Sequence, residues 1–481
     1  MDISSGNIVV PQPARWNFKY LLILFAAVPF VFLMVKLGYR EALAGALFFF
    51  FIFLALEYPK VGIAMFFGIL MLDFNQSTYH YHPNSIFTIF VKSDSYVTLH
   101  LFTASGLICG WLLNTMFIGA SSLKASKLHL PFIILILWMA AAQLQYPFKG
   151  GSIAGTIISY KLFYSLLLFF IIYRYWESEK DVRTVFYLII AGISLTFIYG
   201  LVKLITGDFT HWGLRVFLLG SEQVQILHLL GIFALMAGLE KSVRFPFTIG
   251  ILVYLICIVQ VFFSTSRASL MGALVTLLVV LFLRFRSKKL ALLSIPVIIL
   301  IAVLTLNFIL GGAGDMTSRA AGLAFERIES ISVENADMSI IFRFLSYPSA
   351  LKAALQHPIL GATFNQGYYI EALGFSSFTQ TLDNTYLKLA LSAGFPSAIL
   401  YITCIVIFYR TGFKLLKRIG RGMNRVMLIS LIGVGTMFNI LDFFQTNIAF
   451  IRATPMLMFA WAAVMKLSAL NPEEEIAEET L

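Results

Sequence analysis

Arg267 is the first side chain whose type and surroundings suggest chemistry. Ser264, Thr265 and Ser266 precede it and Ser269 follows it, at a tight turn between two long apolar runs. A guanidinium group beside several hydroxyl donors suits an anion, and the amides at the start of the second run could add more donors. The alternative interpretation is an arginine that extends to lipid headgroups.

Two further arginines lie near apolar runs. Arg215 stands in a short polar segment and could bind phosphate oxygens through two parallel hydrogen bonds, although pairing with Asp208 or Glu222 is equally compatible with its position. Arg343 lies on a predicted amphipathic helix, with Tyr347 one turn later on the same face. Both residues could therefore contact a phosphate or a sugar.

Asp383 is the carboxylate that accompanies these arginines. It lies at the start of a late apolar run, where it could orient or deprotonate an acceptor hydroxyl, or simply cap a helix. The two roles are compatible. Several arginines and one carboxylate suit a substrate with a doubly charged phosphate group and an acceptor hydroxyl.

Motifs for metal and nucleotide chemistry are missing from the sequence. There is no Asp-x-Asp pair, no His-Glu-x-x-His, no Walker loop and no Cys/His cluster, and His80 with His82 is interpreted as an exposed loop pair. Cys109, Cys257 and Cys404 lie within apolar runs and are expected to be packing residues. The sequence therefore predicts no cofactor and no metal, with arginines neutralising a leaving diphosphate.

The composition predicts that these residues are positioned by a membrane protein. Of the 481 residues, 59% are hydrophobic and only 12% are charged, whereas a soluble domain has about 25% charged residues. A soluble enzyme, a disordered chain and a disulfide scaffold are excluded. The net charge of +11 is attributed to cytoplasmic loops rather than to nucleic-acid binding.

Apolar runs predict an all-α polytopic membrane protein with about 14 transmembrane helices, within a range of 12 to 14. Residues 1–310 are predicted to hold transmembrane helices 1–11, residues 311–384 a large loop on the outer side of the membrane, residues 385–467 transmembrane helices 12–14, and residues 468–481 an acidic cytoplasmic tail. The predicted spans lie near 18–37, 41–57, 60–74, 96–118, 130–146, 155–173, 184–206, 223–239, 246–264, 267–284, 290–310, 385–409, 426–444 and 449–467.

The distribution of lysine and arginine predicts the orientation. These residues are more frequent on the side that holds both termini, and the densest cluster runs from Arg410 to Arg425. Cytoplasmic loops carry such an excess. Both termini are therefore expected in the cytoplasm, with Arg215, Arg267, Arg343 and Asp383 facing the other side.

The long loop, 311–384, is expected to contain two amphipathic helices. Apolar residues recur at helical spacing over Ser318–Ser332 and again over Ser339–Gln356, and Pro358 ends the second helix. Glycines punctuate the segment that returns to the membrane at Asp383. Two helices lying over the bilayer could cap a cavity.

At these residues the sequence resembles the O-antigen ligase / O-antigen polymerase family, bacterial envelope glycosyltransferases with a large late periplasmic loop. The family's marks are a Ser-Arg turn, an arginine in an earlier loop, an Arg-aromatic stretch followed by His-Pro and Gly, a His-Asn-x-x-Leu box, and a later glycine. The resemblance covers roughly residues 199–410. The matching residues are Ser266 with Arg267, Arg215, Arg343 with Tyr347 and Ala350, His357 and Pro358 with Gly361, Asp383 and Asn384 with Tyr386 and Leu387, and Gly394.

Two positions depart from the family pattern. Thr363 stands where the family has a second glycine after His-Pro, and Asp383 stands where the family has the box histidine. In ligases of the family that histidine is thought to activate the acceptor. Aspartate can also serve as a base, although it is a weaker one than histidine near neutral pH. The exchange favours a polymerase over a lipid A–core ligase.

The resemblance implies a polymerase of undecaprenyl-diphosphate-linked repeat units, of exopolysaccharide or O-antigen, in the bacterial inner membrane. Arg215, Arg267 and Asp383 are its expected catalytic residues, and Arg343, Tyr347, Ser266, Asn384, Tyr386 and His357 are expected to bind substrate. The partners implied are a lipid-linked oligosaccharide donor, a glycan acceptor and the bilayer; the resemblance also admits a flippase and a chain-length regulator. The alternatives are a ligase that transfers finished glycan to lipid A–core or protein, and a transporter or flippase of lipid-linked glycan.

Overall fold

The computed structural model is mostly helical, and fourteen helices and six short strands lie in the part of the chain that it describes. The described residues are 39–72, 88–92, 95–117, 125–149, 151, 164–207, 210–212, 215–219, 221–264, 267–285, 338–364, 367–372, 375–379, 382–445 and 453–472. The predicted first span, the predicted span at 290–310, the loop helix at 318–332, most of the acidic tail, Ser266, His80 and His82 lie outside them.

The helices follow the apolar runs closely. Their bounds are α1 Tyr39–Glu57, α2 Pro59–Leu72, α3 Leu99–Phe117, α4 His129–Phe148, α5 Tyr164–Tyr175, α6 Glu179–Thr206, α7 Ser221–Leu239, α8 Phe247–Phe263, α9 Arg267–Arg284, α10 Met338–Gln356, α11 Thr385–Ala393, α12 Phe395–Arg418, α13 Met423–Leu441 and α14 Ala453–Leu470.

Five of the described helices, α4, α6, α12, α13 and α14, are long and apolar enough to cross a membrane. Shorter apolar helices lie within α1, α2, α5, α7, α8 and α9. A spanning helix needs about 20 apolar residues. The membrane character of the chain is therefore supported, while the total of 14 spans and the periplasmic placement of the loop stay predictions.

Three two-stranded hairpins lie between helices in the described part of the chain. These hairpins were not predicted from the sequence. The pairs are β1 Thr88–Lys92 with β2 Ser95–Thr98, β3 Thr210–Trp212 with β4 Arg215–Phe217, and β5 Tyr368–Ala372 with β6 Phe375–Thr379. All three are antiparallel. The strands have only three to five residues each, too few to show a clear alternation of apolar and polar positions.

The predicted single span at 385–409 is corrected by the structure. Gly394 has a φ of +80° and a ψ of 165°, a backbone conformation that glycine adopts readily and other residues rarely do, and it interrupts the helix. The chain therefore forms α11 before this glycine and α12 after it, with Pro396 in the first turn of α12. Of these two helices, only α12 is long enough to span a membrane. The short helix α11 begins directly after Asp383 and positions the residues around it.

The helices pack into one continuous apolar core. The almost fully buried helices α13 and α14 lie inside it. One end of the bundle carries a polar network in which Lys60 pairs with Glu177 and Asp181, and Glu179 accepts hydrogen bonds from Asn424 and Asn471. The opposite end carries Asp383, because α11 begins beside the turn that ends α13.

Candidate active site

Asp383 and Arg343 form an ion pair between the turn before α11 and the loop helix α10. The Nη2 atom of Arg343 lies 3.2 Å from Oδ2 of Asp383, and the two side chains are 26% and 51% exposed. Among the described residues no hydrogen bond reaches the other carboxylate oxygen, Oδ1. The pair therefore presents a carboxylate held from one side and open to solvent on the other.

Tyr347 fastens the loop helix to this turn. Its hydroxyl lies 2.7 Å from the carbonyl oxygen of Asp383 and 3.0 Å from that of Phe443. Burial raises the pKa of Tyr347; the cation of Arg343 opposes this rise and the carboxylate of Asp383 adds to it. The phenol consequently stays protonated near neutral pH, so it acts as a hydrogen-bond donor and not as a base.

The helix cap of α11 is Asn384, and not Asp383. The Asn384 side-chain oxygen accepts a hydrogen bond of 2.8 Å from the amide of Leu387, and its Nδ2 donates to the carbonyl of Phe443. The N-cap interpretation of Asp383 is therefore wrong by one residue. With the cap supplied by its neighbour, the Asp383 carboxylate is left to pair with Arg343.

Asp442 holds the start of α11 in place from inside the bundle. It is fully buried, and its carboxylate accepts hydrogen bonds from the hydroxyl of Thr385 at 2.7 Å and of Tyr401 at 2.8 Å. The amide of Thr385 also donates to the Asp442 carbonyl. A buried carboxylate with such partners is a structural group; it fixes the start of α11, and with it the position of Asp383.

The predicted substrate-binding residues Tyr386 and His357 occupy different settings. The Tyr386 hydroxyl donates to the carbonyl of Asn439, and its ring packs 4.7 Å from that of Phe443. His357 is exposed at the end of α10. Tyr386 thus has an internal positioning contact, whereas the imidazole of His357 faces solvent.

The segment after His357 packs against the end of α11. The amides of Ala362 and Thr363 donate to the carbonyls of Leu391 and Ser392, and the amide of Phe395 donates to the carbonyl of Pro358. Gly361 has a φ of +67° and lies so close to this backbone that a Cβ atom would overlap it. The His-Pro-Gly stretch therefore ties the end of the loop helix to the start of α12.

Thr363 departs from the family pattern and carries a visible strain. Its φ is 94°, in the region that favours glycine and disfavours a β-branched residue. The side chain is fully buried, and its hydroxyl has no hydrogen-bond partner among the described residues. The backbone at this position therefore has a conformation that suits glycine, although the residue is threonine.

Helix α4 contributes polar contacts that the sequence reasoning missed. Nε1 of Trp138 donates to the carbonyl of Ala393, Nε2 of Gln145 donates to that of Leu360, and Oε1 of Gln143 accepts from the amide of Phe364. Two glutamines in one apolar segment were the available signal, since polar groups inside a membrane bundle usually face a partner. These contacts hold the 357–364 segment at the bundle end.

Arg215 and Arg267 are described by their backbone positions only; their side chains lie outside the described part. Arg215 begins β4. The amide of Leu218, the residue directly after that strand, donates a hydrogen bond to the carbonyl of Phe263, the last residue of α8. Arg267 begins α9 three residues after Ser264. The strand that carries Arg215 therefore reaches the turn that carries Arg267.

These two segments lie at the same end of the bundle as Asp383. Gly272 of α9 packs against Met437 and Leu441, at the end of α13 that precedes Asp442. Arg267 is about 8 Å further along the axis of α9, toward that end. In addition, the side chain of Gln225, in the first turns of α7, donates a hydrogen bond to the side chain of Gln445, which lies in the turn after α13. The segments that carry Arg215, Arg267 and Arg343 thus lie at the same end of the bundle as Asp383.

Residues 252–402 match the family model described as O-antigen ligase. The match confirms the resemblance to the O-antigen ligase and polymerase family, and the matched stretch includes Arg267, Arg343 and Asp383 but not Arg215. No curated protein matches the chain. The family match supports a membrane glycosyltransferase of ligase or polymerase type.

Proposed function

We propose that the protein is a polymerase of undecaprenyl-diphosphate-linked glycan repeat units, of exopolysaccharide or O-antigen type, acting at the periplasmic face of the bacterial inner membrane. The ion pair of Arg343 and Asp383 at the bundle end where the Arg215 and Arg267 segments gather is the observation that supports it most strongly. A carboxylate and several cations are what inverting transfer from a diphosphate donor needs.

In the proposed reaction, the acceptor hydroxyl attacks the anomeric carbon of the donor glycan. The bond between that carbon and the diphosphate oxygen breaks, and the hydroxyl proton passes to the Asp383 carboxylate. Undecaprenyl diphosphate leaves with the bonding electrons. The guanidinium groups of Arg215 and Arg267 bind the diphosphate and stabilise the charge that grows on it, so that no metal ion is required.

Arg343 has a supporting part in this proposal. Its pairing with one oxygen of Asp383 orients the carboxylate and leaves Oδ1 toward the acceptor. Tyr347, Asn384 and Tyr386 fasten α10, α11 and the Asp442 turn to one another. Ser266 and His357 remain proposed substrate contacts, Ser266 at the turn that carries Arg267 and His357 at the solvent-facing end of α10.

The purified protein with a single lipid-linked repeat unit tests this function. A polymerase yields a ladder of products that differ by one repeat unit, with release of undecaprenyl diphosphate. A single product formed only after addition of lipid A–core or an acceptor protein would identify a ligase instead. Movement of unchanged lipid-linked glycan between leaflets, with no new bond, would identify the transporter alternative.

A further inference from the structure

A cleft lies between the loop helix α10 and the hairpin β5–β6, next to the proposed active site. Its volume is about 480 Å³, within the range of about 300–1,000 Å³ that is usual for small-ligand sites. Side chains from the last turns of α10 form one wall, and Tyr368, Tyr369 and Phe378 of the hairpin form the other. We refer to it as the hairpin cleft.

An exposed aromatic pair forms the hairpin wall. Tyr369 and Phe378 are directly opposite each other in the β5–β6 register, with ring centroids 5.3 Å apart in an edge-to-face arrangement. They are 61% and 53% exposed. Neighbouring large aromatic rings left in contact with solvent commonly mark a binding surface, and an aromatic face can cover the C–H face of a sugar ring.

The opposite wall is polar. Ser349, Lys352 and Gln356 recur at the spacing that places side chains on one face of a helix, and His357 follows them. This face lines the cleft with the ammonium of Lys352 and the amide of Gln356, while the Ser349 hydroxyl donates to the carbonyl of Leu345. Such a combination suits an oligosaccharide, whose rings have an apolar face and a polar edge, better than it suits the hydrocarbon of a bilayer.

Tyr368 connects the cleft to the Arg343–Asp383 pair. It lines the cleft, is only 3% exposed, and shares a hydrogen bond with the side chain of Ser346, one turn after Arg343 on α10. Burial raises the pKa of Tyr368 to about 12, and the charge of the nearby Asp383 contributes. Tyr368 thus forms a wall shared by the cleft and the Arg343–Asp383 site, so a ligand bound in the cleft would lie beside the carboxylate that is proposed to accept the proton.

From this geometry we infer that the hairpin cleft binds the sugar residues of the acceptor glycan, one ring against Tyr369 and Phe378 and polar groups against Lys352 and Gln356. The inference rests on the proposed function, because the end of the cleft near Asp383 is where the acceptor hydroxyl would enter. The residues of the cleft thus select the acceptor, while the arginines of the bundle end bind the diphosphate of the donor.

Direct binding tests this inference independently of catalysis. The probe is the free oligosaccharide of the repeat unit, released from its lipid by mild acid, titrated onto the full-length protein in nanodiscs. We expect Tyr369→Ala, Phe378→Ala and Lys352→Ala each to weaken binding about tenfold. These side chains are exposed, so the variants should fold, and Phe148→Ala, which removes an aromatic ring that is 91% exposed on α4, is the matched control.

The kinetic arm separates this inference from the proposed function. With the lipid-linked repeat unit as donor and the labelled free oligosaccharide as acceptor, the cleft variants should raise the KM for the labelled acceptor about tenfold while kcat stays within about twofold. Oligosaccharide binding by the wild type without any glycosyl transfer would refute the proposed function but support the cleft. Equal binding by the wild type and the cleft variants, or no binding by the wild type, would overturn the inference.

A bilayer contact is the competing explanation for the exposed rings. Phe378→Trp places an indole on the hairpin, and brominated lipids quench an indole that lies in hydrocarbon. We expect the added fluorescence to be unaffected by brominated lipids and altered by the oligosaccharide. Strong quenching by the lipids, with no response to the oligosaccharide, would show that the aromatic pair is a membrane anchor and would overturn the inference.

Discussion

Asp383 depends on its neighbours for its position and on its exposed oxygen for its proposed chemistry. Asn384 caps α11, Asp442 anchors Thr385, and Tyr347 holds the Asp383 carbonyl. Each of these contacts fixes the backbone without using the Asp383 carboxylate. Aspartate is a weaker base than histidine, but it can still accept the proton if its position is fixed. Both the position and the basicity of a general base contribute to the rate.

Arg343 should be more important for transfer than for stability. Arg343→Ala removes a half-exposed ion pair, and such pairs stabilise a fold by about 1 kcal/mol or less. We expect thermal unfolding in detergent to change little and the transfer rate to fall about tenfold. Arg183→Ala, on α6 at the other end of the bundle, is the control and should leave the rate unchanged. An equal loss in both variants would contradict the positioning role of Arg343.

Thr363→Gly should stabilise the protein. A non-glycine residue in the left-handed region is strained by about 1–3 kcal/mol, and this threonine also buries a hydroxyl that has no partner among the described residues. Against the extra chain entropy of glycine, we expect a net gain of about 1 kcal/mol, seen as a higher apparent Tm. Thr363→Ala removes the buried hydroxyl but keeps a Cβ atom at positive φ, so we expect a smaller gain than for glycine; an equal gain would show that the hydroxyl, and not the backbone strain, is the cause.

At the scale of the elements, the 357–364 segment and the glycine break at residue 394 form one joint. Gly394 has a positive φ, and an added Cβ would overlap the Ile359 carbonyl. The same carbonyl and that of Ala393 face the indole of Trp138 on α4. The joint thus connects α10, α4, α11 and α12, and sets the angle at which α11 presents Asp383.

Gly394→Ala should disturb this joint. The added methyl group must displace the 358–359 backbone, so we expect at least about a tenfold loss of transfer activity and a lower apparent Tm. Gly420→Ala is the control, because Gly420 has open space where a Cβ would lie. Wild-type activity in both variants would show that the α11–α12 break does not position the site.

The loop helix was predicted correctly from the sequence, and the break in the predicted span at 385–409 was missed. Apolar residues at helical spacing placed α10 at 339–356, and it is observed at Met338–Gln356. By contrast, the apolar run continues through Gly394, and the prediction overlooked the local signal for a break, a glycine followed two residues later by Pro396. The contact with Ile359, which is distant in sequence, shows why the chain must turn there. The assignment of Asn384 rather than Asp383 as the cap likewise depends on the tertiary contacts of Phe443 and Arg343.

At the scale of the whole molecule, the two ends of the bundle differ in character. One end holds the network of Lys60, Glu177 and Asp181, and the other holds the Arg343–Asp383 pair and the hairpin cleft. The excess of lysine and arginine in the loops predicts that the first end is cytoplasmic. The sequence shows in which order the arginine-bearing segments follow one another along the chain. Their location at one end of the bundle follows instead from the packing of α9 along α13.

Cysteine labelling tests this orientation. Leu355→Cys on α10 should react with a membrane-impermeant maleimide in intact spheroplasts, whereas Glu177→Cys should react only after the membrane is opened. Both positions are exposed; of the native cysteines, two are buried and Cys109 is partly buried, so their background should be low. The reverse pattern of labelling would place the proposed active site in the cytoplasm and contradict the account.

The most direct test compares the wild type with Asp383→Asn in proteoliposomes supplied with a lipid-linked repeat unit, with glycan elongation followed over time. Asparagine preserves the shape of the side chain but cannot accept the proton, so we expect a rate lower by about 100-fold or more with unchanged folding. Glu177→Gln, which neutralises an exposed, ion-paired carboxylate at the other end, should elongate at the wild-type rate. Elongation by folded Asp383→Asn at the wild-type rate would contradict the central claim.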